Sequence, residues 1–198
     1  LQYDLLLESL HRHIHLNQEE QDRLSTYLDT CRVSAKDFLL RADEVCLYDY
    51  FVTQGCLRSF YIDKEGGEHT TMFAVEGWWT GNLKSFVRGT LSGFFLQAME
   101  PTECFRFDKQ KMDQLYTEIP QFNRYFRILL QNRLISTQDR VSGHLSFTAK
   151  ERYLGFRRQY PDLEQRVAQK YIASYLGITP AYLSRMRKGL SNSSDLLT

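Results

Sequence analysis

QKYIASYLGITPAYLSRMRKGL, residues 169–190, decides how the rest of the chain is read. Numbered as a helix-turn-helix from Gln169, its inward positions fall on Ile172, Ala173, Leu176, Ile178, Leu183 and Met186. Ala173 is small where two helices cross closely, and Gly177 stands where the turn needs a left-handed or close-approach backbone. Thr179 can accept from the orphan N–H groups of a second helix, and Pro180 suits its first position, where a missing donor costs nothing. In such a unit the second helix enters the major groove with its N-terminal part nearest the bases. Thr179, Ala181, Tyr182, Ser184, Arg185 and Lys188 are then left for a groove or for solvent. Arg185 is the leading base reader, because a guanidinium meets both acceptors of guanine, a pairing worth about 1–3 kcal/mol of discrimination. Tyr182 is expected at a thymine methyl or a phosphate. Thr179, Ser184, Arg187 and Lys188 read as positioning contacts, and Gln169 and Tyr171 as contacts to backbone phosphates. After Gly189 comes LSNSSDLLT, too short and too polar for a two-stranded wing, so a helix-turn-helix without a wing is expected.

Charge supports the same end of the chain. The net charge is +1, yet residues 1–118 carry 12 basic against 19 acidic side chains while residues 119–198 carry 13 against 5. A basic C-terminal portion on an acidic N-terminal one fits attraction to a polyanion confined to one end, with Lys150, Arg152, Arg157, Arg158 and Arg166 contributing. No apolar run approaches 18 residues, and LQYDLLLESLHRHIH has no signal-peptide layout, so a cytoplasmic protein without a membrane partner is expected. Cys31, Cys46, Cys56 and Cys104 are too dispersed for a zinc or redox spacing and are read as reduced thiols. His11, His13 and His15 point in different directions if helical, and His69 beside a glycine turn reads as exposed. No metal site and no cofactor are therefore expected. No nucleophile with an adjacent base and no paired acids rise above background, so the chain is not expected to be an enzyme.

Upstream, the texture changes twice. Tyr3, Leu6, Leu7, Leu10 and Ile14 recur at helical spacing, and Asn17 with Glu20 forms a capping box, giving two short helices before residue 31. Aromatic and β-branched runs cut by glycines follow, with strands expected at 38–41, 48–53, 57–62, 70–75, 94–99 and 104–107 and a turn at DKEGGEH. Asp108 caps a short helix that stops near Pro120. The stretch 120–145 reads as one long helix whose apolar face of Phe122, Phe126, Leu129, Leu130, Leu134 and Val141 packs on a symmetry mate, with Gly143 as a weak point. A capping box at Thr148 and Glu151 starts another helix that ends before Pro161, and a further one is expected through 165–176. The fold class is α+β: an antiparallel β-barrel of jelly-roll type with flanking helices, then a long dimerisation helix, then an all-α domain. Boundaries are expected at 1–118, 119–145 and 146–198.

With GCLRSFYIDKEGGEHTTMFAVEGWW, EIPQFNRYFRILLQNRL and YIASYLGITPAYLSRMRKGL in this order, the chain resembles Crp/Fnr-type transcription regulators over nearly its whole length. The resemblance implies a cyclic-nucleotide-binding-like sensor barrel, a homodimer on double-stranded DNA, a small-molecule effector and contact with RNA polymerase. Relatives that bind a cyclic nucleotide hold the ribose with a Glu after a Gly and the phosphate with an Arg. Here TGNLKSFVRGTLSGFFLQA supplies Gly81 but Asn82, and Gly93 and Phe94 where the Arg would stand, with Arg88 the nearest substitute. A phosphate buried without that cation would lose its solvation uncompensated, so the usual mode of binding is not expected and the effector stays unidentified. The alternative reading is a small-molecule or protein-interaction module with a vestigial helix-turn-helix.

Overall fold

The computed structural model describes residues 2–192. Helices α1 (Gln2–His11) and α2 (Gln18–Ser25) lead into eight strands. These are β1 (Asp29–Val33), β2 (Phe38–Leu40), β3 (Tyr48–Gln54), β4 (Leu57–Ile62), β5 (Glu68–Ala74), β6 (Trp79–Thr80), β7 (Phe95–Ala98) and β8 (Thr102–Asp108), with the short α3 (Leu83–Arg88) between β6 and β7. They form two antiparallel sheets, ordered β1-β8-β3-β6 and β2-β7-β4-β5. Helices α4 (Lys109–Glu118) and α5 (Gln121–Ser146) follow, then α6 (Ala149–Gln159), α7 (Leu163–Arg166), α8 (Gln169–Leu176) and α9 (Pro180–Asn192). The α+β architecture is a jelly-roll sandwich, a long helix and a C-terminal helical region.

Local signals set most boundaries. Asn17 and Glu20 form the reciprocal capping box at α2, as Thr148 and Glu151 do at α6, and Asp108 accepts from Lys111 N at 2.8 Å to start α4. In DKEGGEH, the Asp63 carboxylate accepts from the N–H groups of Glu65 and Gly67 and pairs with His69, while Gly66 takes a positive φ of 84°. His69 is thus partnered as well as partly exposed.

Four expectations need correction. Strands β1 and β6 were not signalled: β1 has the alternating pattern of an edge strand in a polar sequence, and β6 is only two residues long. Gly143 does not weaken α5, which runs through it; it is buried, and a Cβ there would stand 3.0 Å from the Phe147 ring, so the missing side chain makes room for Phe147. The helix expected through 165–176 is two helices, because Val167 and Ala168 are extended and separate α7 from α8. Likewise α1 ends at His11, so the three early histidines do not share a helix, and His11 stacks on His15 at 5.8 Å.

Three apolar clusters hold the chain. The first joins α1, α2, α4 and the start of α5 to Phe51, Phe105 and Phe107 of the first sheet. A second fills the sandwich around Tyr50, Val52, Leu57, Leu96, Ala98 and Cys104. The third joins α6, α8 and α9 to Cys56 and Phe73 of the barrel, so the helical region shares a core with the sheets.

The β3–β4 turn is the tightest point. Gly55 has φ +96°, and a Cβ there would lie 2.5 Å from Thr102 Oγ1 and 2.7 Å from the Pro101 carbonyl. Gly55→Ala is expected to lower the unfolding free energy by about 2–4 kcal/mol, from backbone strain and overpacking together, in urea-unfolding curves followed by fluorescence.

Candidate nucleic-acid interface and sensor pocket

The helix-turn-helix is built as its residue types require. Ile172, Ala173, Leu176 and Leu183 are buried, and Ile178 and Met186 pack against them. Gly177 caps α8 in the left-handed conformation at φ 66°, and Thr179 Oγ1 accepts from Tyr182 N at 3.2 Å to start α9. On the outer side of α9, Thr179, Ala181, Tyr182, Arg185 and Lys188 are exposed, and Ser184 is half-buried. This row is one continuous side of a helix whose opposite side is core. Gln169 is exposed at the start of α8.

Two of the expected contacts stand elsewhere. Tyr171 faces the barrel: its ring lies 4.1 Å from the Arg58 guanidinium, which Phe60 covers on the other side at 4.0 Å. Arg187 is half-buried with Nε 3.5 Å from Glu164 Oε1, where Arg157 also pairs. Of the basic residues expected to meet a polyanion, Arg166 is committed internally. It grips Glu76 through both terminal nitrogens at 2.7 and 3.0 Å and reaches Glu100 through Nε at 3.0 Å. Arg152 donates to the carbonyls of Phe147 and Leu176. The expected absence of a wing falls in part on residues 193–198, which lie outside the described residues; α9 itself continues to Asn192.

What orients the unit was not anticipated. β5 is an edge strand, and side chains of the helical region satisfy its outward backbone groups. Ser174 Oγ accepts from Thr70 N at 2.9 Å and donates to the Glu68 carbonyl at 2.6 Å. Arg140 donates to the Thr71 carbonyl at 2.8 Å, and Tyr160 to that of Phe73 at 3.2 Å. Beneath them, fully buried Arg58 donates to Thr70 Oγ1 and Glu68 Oε2. A lone Ser in a helix gives no sequence signal for such docking; the paired orphans on β5 appear only once sheet order is known.

The long helix divides into two parts. Phe122 and Phe126, expected at a symmetry mate, are buried in the chain's own core against Tyr116 and Tyr125, with Phe126 also against Trp79. Leu129 is half-buried beside them. Beyond, every residue from 130 to 139 is exposed, including Leu130, Leu134 and Ile135, and Val141 is exposed further on. The division follows α5 past residue 129, where no element among the described residues covers it.

Residues expected to line a ligand pocket do not form a phosphate cradle. Asn82 is spent on structure: its side chain accepts from Ser85 N at 2.9 Å and caps α3. Gly81 packs against Asp49, whose carboxyl is pushed up to about 7 by burial against the opposing pull of Arg133 on α5. Arg88 and Gly93 are exposed, and Phe94 packs edge-on against Tyr61. No cation therefore stands where the resemblance would put one. Among the described residues, no three His, Cys, Asp or Glu are grouped to hold a metal, and no helix is long and apolar enough to cross a membrane.

Residues 30–118 match the family model of the cyclic nucleotide-binding domain. Over 197 residues the chain is 24% identical to the fumarate and nitrate reduction regulatory protein of Vibrio cholerae, covering 92% of this chain and 77% of that one. The protein of the same name from Yersinia pestis is also 24% identical, over 195 residues covering 91% and 76%. Among solved structures, FixK2 from Bradyrhizobium japonicum superposes with a TM-score of 0.71 at 19% identity, covering 83% of this chain and 84% of its own. The c-di-GMP-responsive regulator CLP of Xanthomonas campestris does so at 0.69 and 16%, covering 88% and 92%. Residues 30–118 thus carry a cyclic nucleotide-binding-type domain, and the chain is similar to regulators of the Crp/Fnr family over most of its length. The proteins it resembles are regulators of transcription, not enzymes.

The docking of the helical region on the barrel is testable. Removing Arg166 would leave Glu76 and Glu100 without their shared cation. Arg166→Ala is expected to lower the unfolding free energy at pH 7 by about 1–2 kcal/mol, partial exposure limiting the loss. Burial raises the Glu76 carboxyl, but the hydrogen bonds from Arg166 and from the backbone outweigh it and hold the group below its ordinary 4.5. The stabilisation is therefore complete above pH 4.5 and disappears as pH falls through the lowered value. Urea unfolding of both proteins at pH 7 and pH 3 should show a gap that closes in acid.

Proposed function

We propose that this Crp/Fnr-type DNA-binding transcription regulator acts as a homodimer that reads a specific sequence in double-stranded DNA through α9. Residues 1–118 would form the sensor unit, 119–145 the dimer helix and 146–198 the DNA-binding domain. The observation that carries this is the continuous exposed row of Thr179, Ala181, Tyr182, Arg185 and Lys188 on a helix whose other side is core. Arg185 supplies the bidentate reading of guanine, Tyr182 a methyl or phosphate contact, and Thr179, Ser184 and Lys188 the register on the backbone. Exposed Leu130, Leu134 and Ile135 supply the apolar seam between subunits.

The sensor would take its effector without the usual anchoring of a cyclic phosphate, since Asn82 is committed as a cap and residue 93 is glycine. An effector would act by changing how the long helices lie against each other. That sets the separation of two reading helices against one turn of DNA. RNA polymerase is the further partner, and the cytoplasm the location, that this role requires.

The test is binding to an operator selected from random duplexes. Arg185→Ala is expected to weaken operator binding about 10- to 150-fold while non-specific duplex binding changes about 3-fold or less. Equal losses on both would overturn the base-reading role, and no binding to any duplex at low salt would overturn the reading itself. Leu134→Asp places a charge in the seam and is expected to give monomers in sedimentation velocity at concentrations where the parent chain is dimeric.

A further inference from the structure

Three of the four cysteines line the sandwich interior, and two of these face each other. Cys31 on β1 and Cys104 on β8 are directly opposed in the antiparallel ladder. Residues so placed have Cα atoms about 4.5 or 5.5 Å apart according to the hydrogen-bond pattern. Both separations lie within the roughly 4.4–6.8 Å that a disulfide spans. Both side chains point inward: Cys104 is part of the core around Tyr50 and Val52, and Cys31 packs against it. Cys104 Sγ lies 3.7 Å from the Cys31 carbonyl, to which it donates.

The pair is asymmetric. Cys31 is half-buried, so a small reagent can reach it, whereas Cys104 is buried. The neighbouring Cys104 thiol outweighs burial and, with the nearby Arg106 guanidinium, holds the Cys31 thiol below its ordinary range. The Cys31 thiol and burial push Cys104 up. Cys46 and Cys56 are buried and pushed up by burial, without an opposed thiol in the ladder. One sulfur is thus reachable and readily ionised, with a second in place to resolve it.

We propose that Cys31 and Cys104 form a redox modification site, in which Cys31 reduces a small hydroperoxide and Cys104 closes a disulfide between β1 and β8. The Cys31 sulfur attacks the terminal peroxide oxygen, the O–O bond breaks, and an alcohol (water, for hydrogen peroxide) leaves with the thiol proton. Cys31 is left as the sulfenic acid. Cys104 then attacks the Cys31 sulfur, the S–S bond forms, the S–O bond breaks, and the hydroxyl departs as water with the Cys104 proton. Two thiols lose two electrons in all, and the hydroperoxide gains them. The bond would tie the strand that follows α2 to the strand that runs into α4 and α5, so oxidation stiffens the barrel at the root of the long helix.

Treating the full chain with one equivalent of hydrogen peroxide, then alkylating and mapping peptides, tests this. Before alkylation, the expected product is a monomer-sized chain about 2 Da lighter than the reduced one. Its Cys31 and Cys104 peptides are linked, and Cys46 and Cys56 remain alkylated. Dithiothreitol should restore four alkylatable thiols, and the oxidised chain should unfold at a higher temperature than the reduced one. Cys104→Ser should leave Cys31 as a sulfenic acid that a dimedone probe traps, while Cys46→Ser should still form the link. A link through Cys46 or Cys56, a bridge between two chains, or four free thiols after treatment would each overturn the proposal.

Discussion

The free edge of β5 is the constraint on which the rest of the arrangement depends. An edge strand exposes backbone donors and acceptors that invite pairing with another chain, and their burial without partners would cost about 1–3 kcal/mol each. Here those groups are taken by Ser174, Arg140 and Tyr160, which lie on α8, on α5 and just past the end of α6. A helix, not another strand, closes the sheet. Because α8 is also the first helix of the reading unit, the contacts that protect the edge set the orientation of α9 relative to the barrel.

The chemistry of the contact suits a joint that can be remade. Its apolar centre is a cluster of rings, with Phe73 against Phe156, Tyr160 and Tyr175. Around it lie hydrogen bonds and the cation Arg166 between Glu76 and Glu100. Rings bury much area at small entropic cost and tolerate several offset packings. Partly exposed ion pairs are weak and specific in geometry. Buried Arg58 is different: its charge is met by Glu68 and Thr70 on β5, within the barrel, and only its contact with the Tyr171 ring depends on α8. Undocking would expose it to water on that side, which lowers the penalty of separation.

Helix caps, turns and the two helices of the helix-turn-helix were legible in the sequence because their causes are local. Asn17 with Glu20, Thr148 with Glu151, and Thr179 before Pro180 each specify a start within four residues, and each is used. The alternation in 48–53 and 57–62 likewise gave β3 and β4 nearly their bounds. What failed depends on sheet order. Nothing near Cys31 signals a strand, because β1 is held by its register with β8, seventy-odd residues away. Tyr171 and Arg166 carry the marks of polyanion contacts, an aromatic and a cation in a basic domain; only the placement of β4, β5 and Glu76 shows that the barrel claims both. A pattern of charge gives the partner's sign but not its identity, and here the partner is a neighbouring domain.

That reassignment changes how affinity would be distributed in the proposed complex. With Arg166 neutralised by two carboxylates and Arg152 capping α8, the positive charge of residues 119–198 is less available to phosphates than composition suggests. A regulator of this design would release fewer counterions on binding, so its affinity would fall less steeply with salt than 13 basic side chains imply. More of its discrimination would then rest on the exposed row of α9 and on the spacing of two such helices. In that complex the spacing would be set by α5 beyond residue 129, where the described residues leave 130–139 exposed and a second copy would cover Leu130, Leu134 and Ile135. In the proposed dimer the seam, the docked edge strand and the reading helix would lie along one mechanical line, so that a change at the barrel would reach α9 through β5 and α8 as well as through α5.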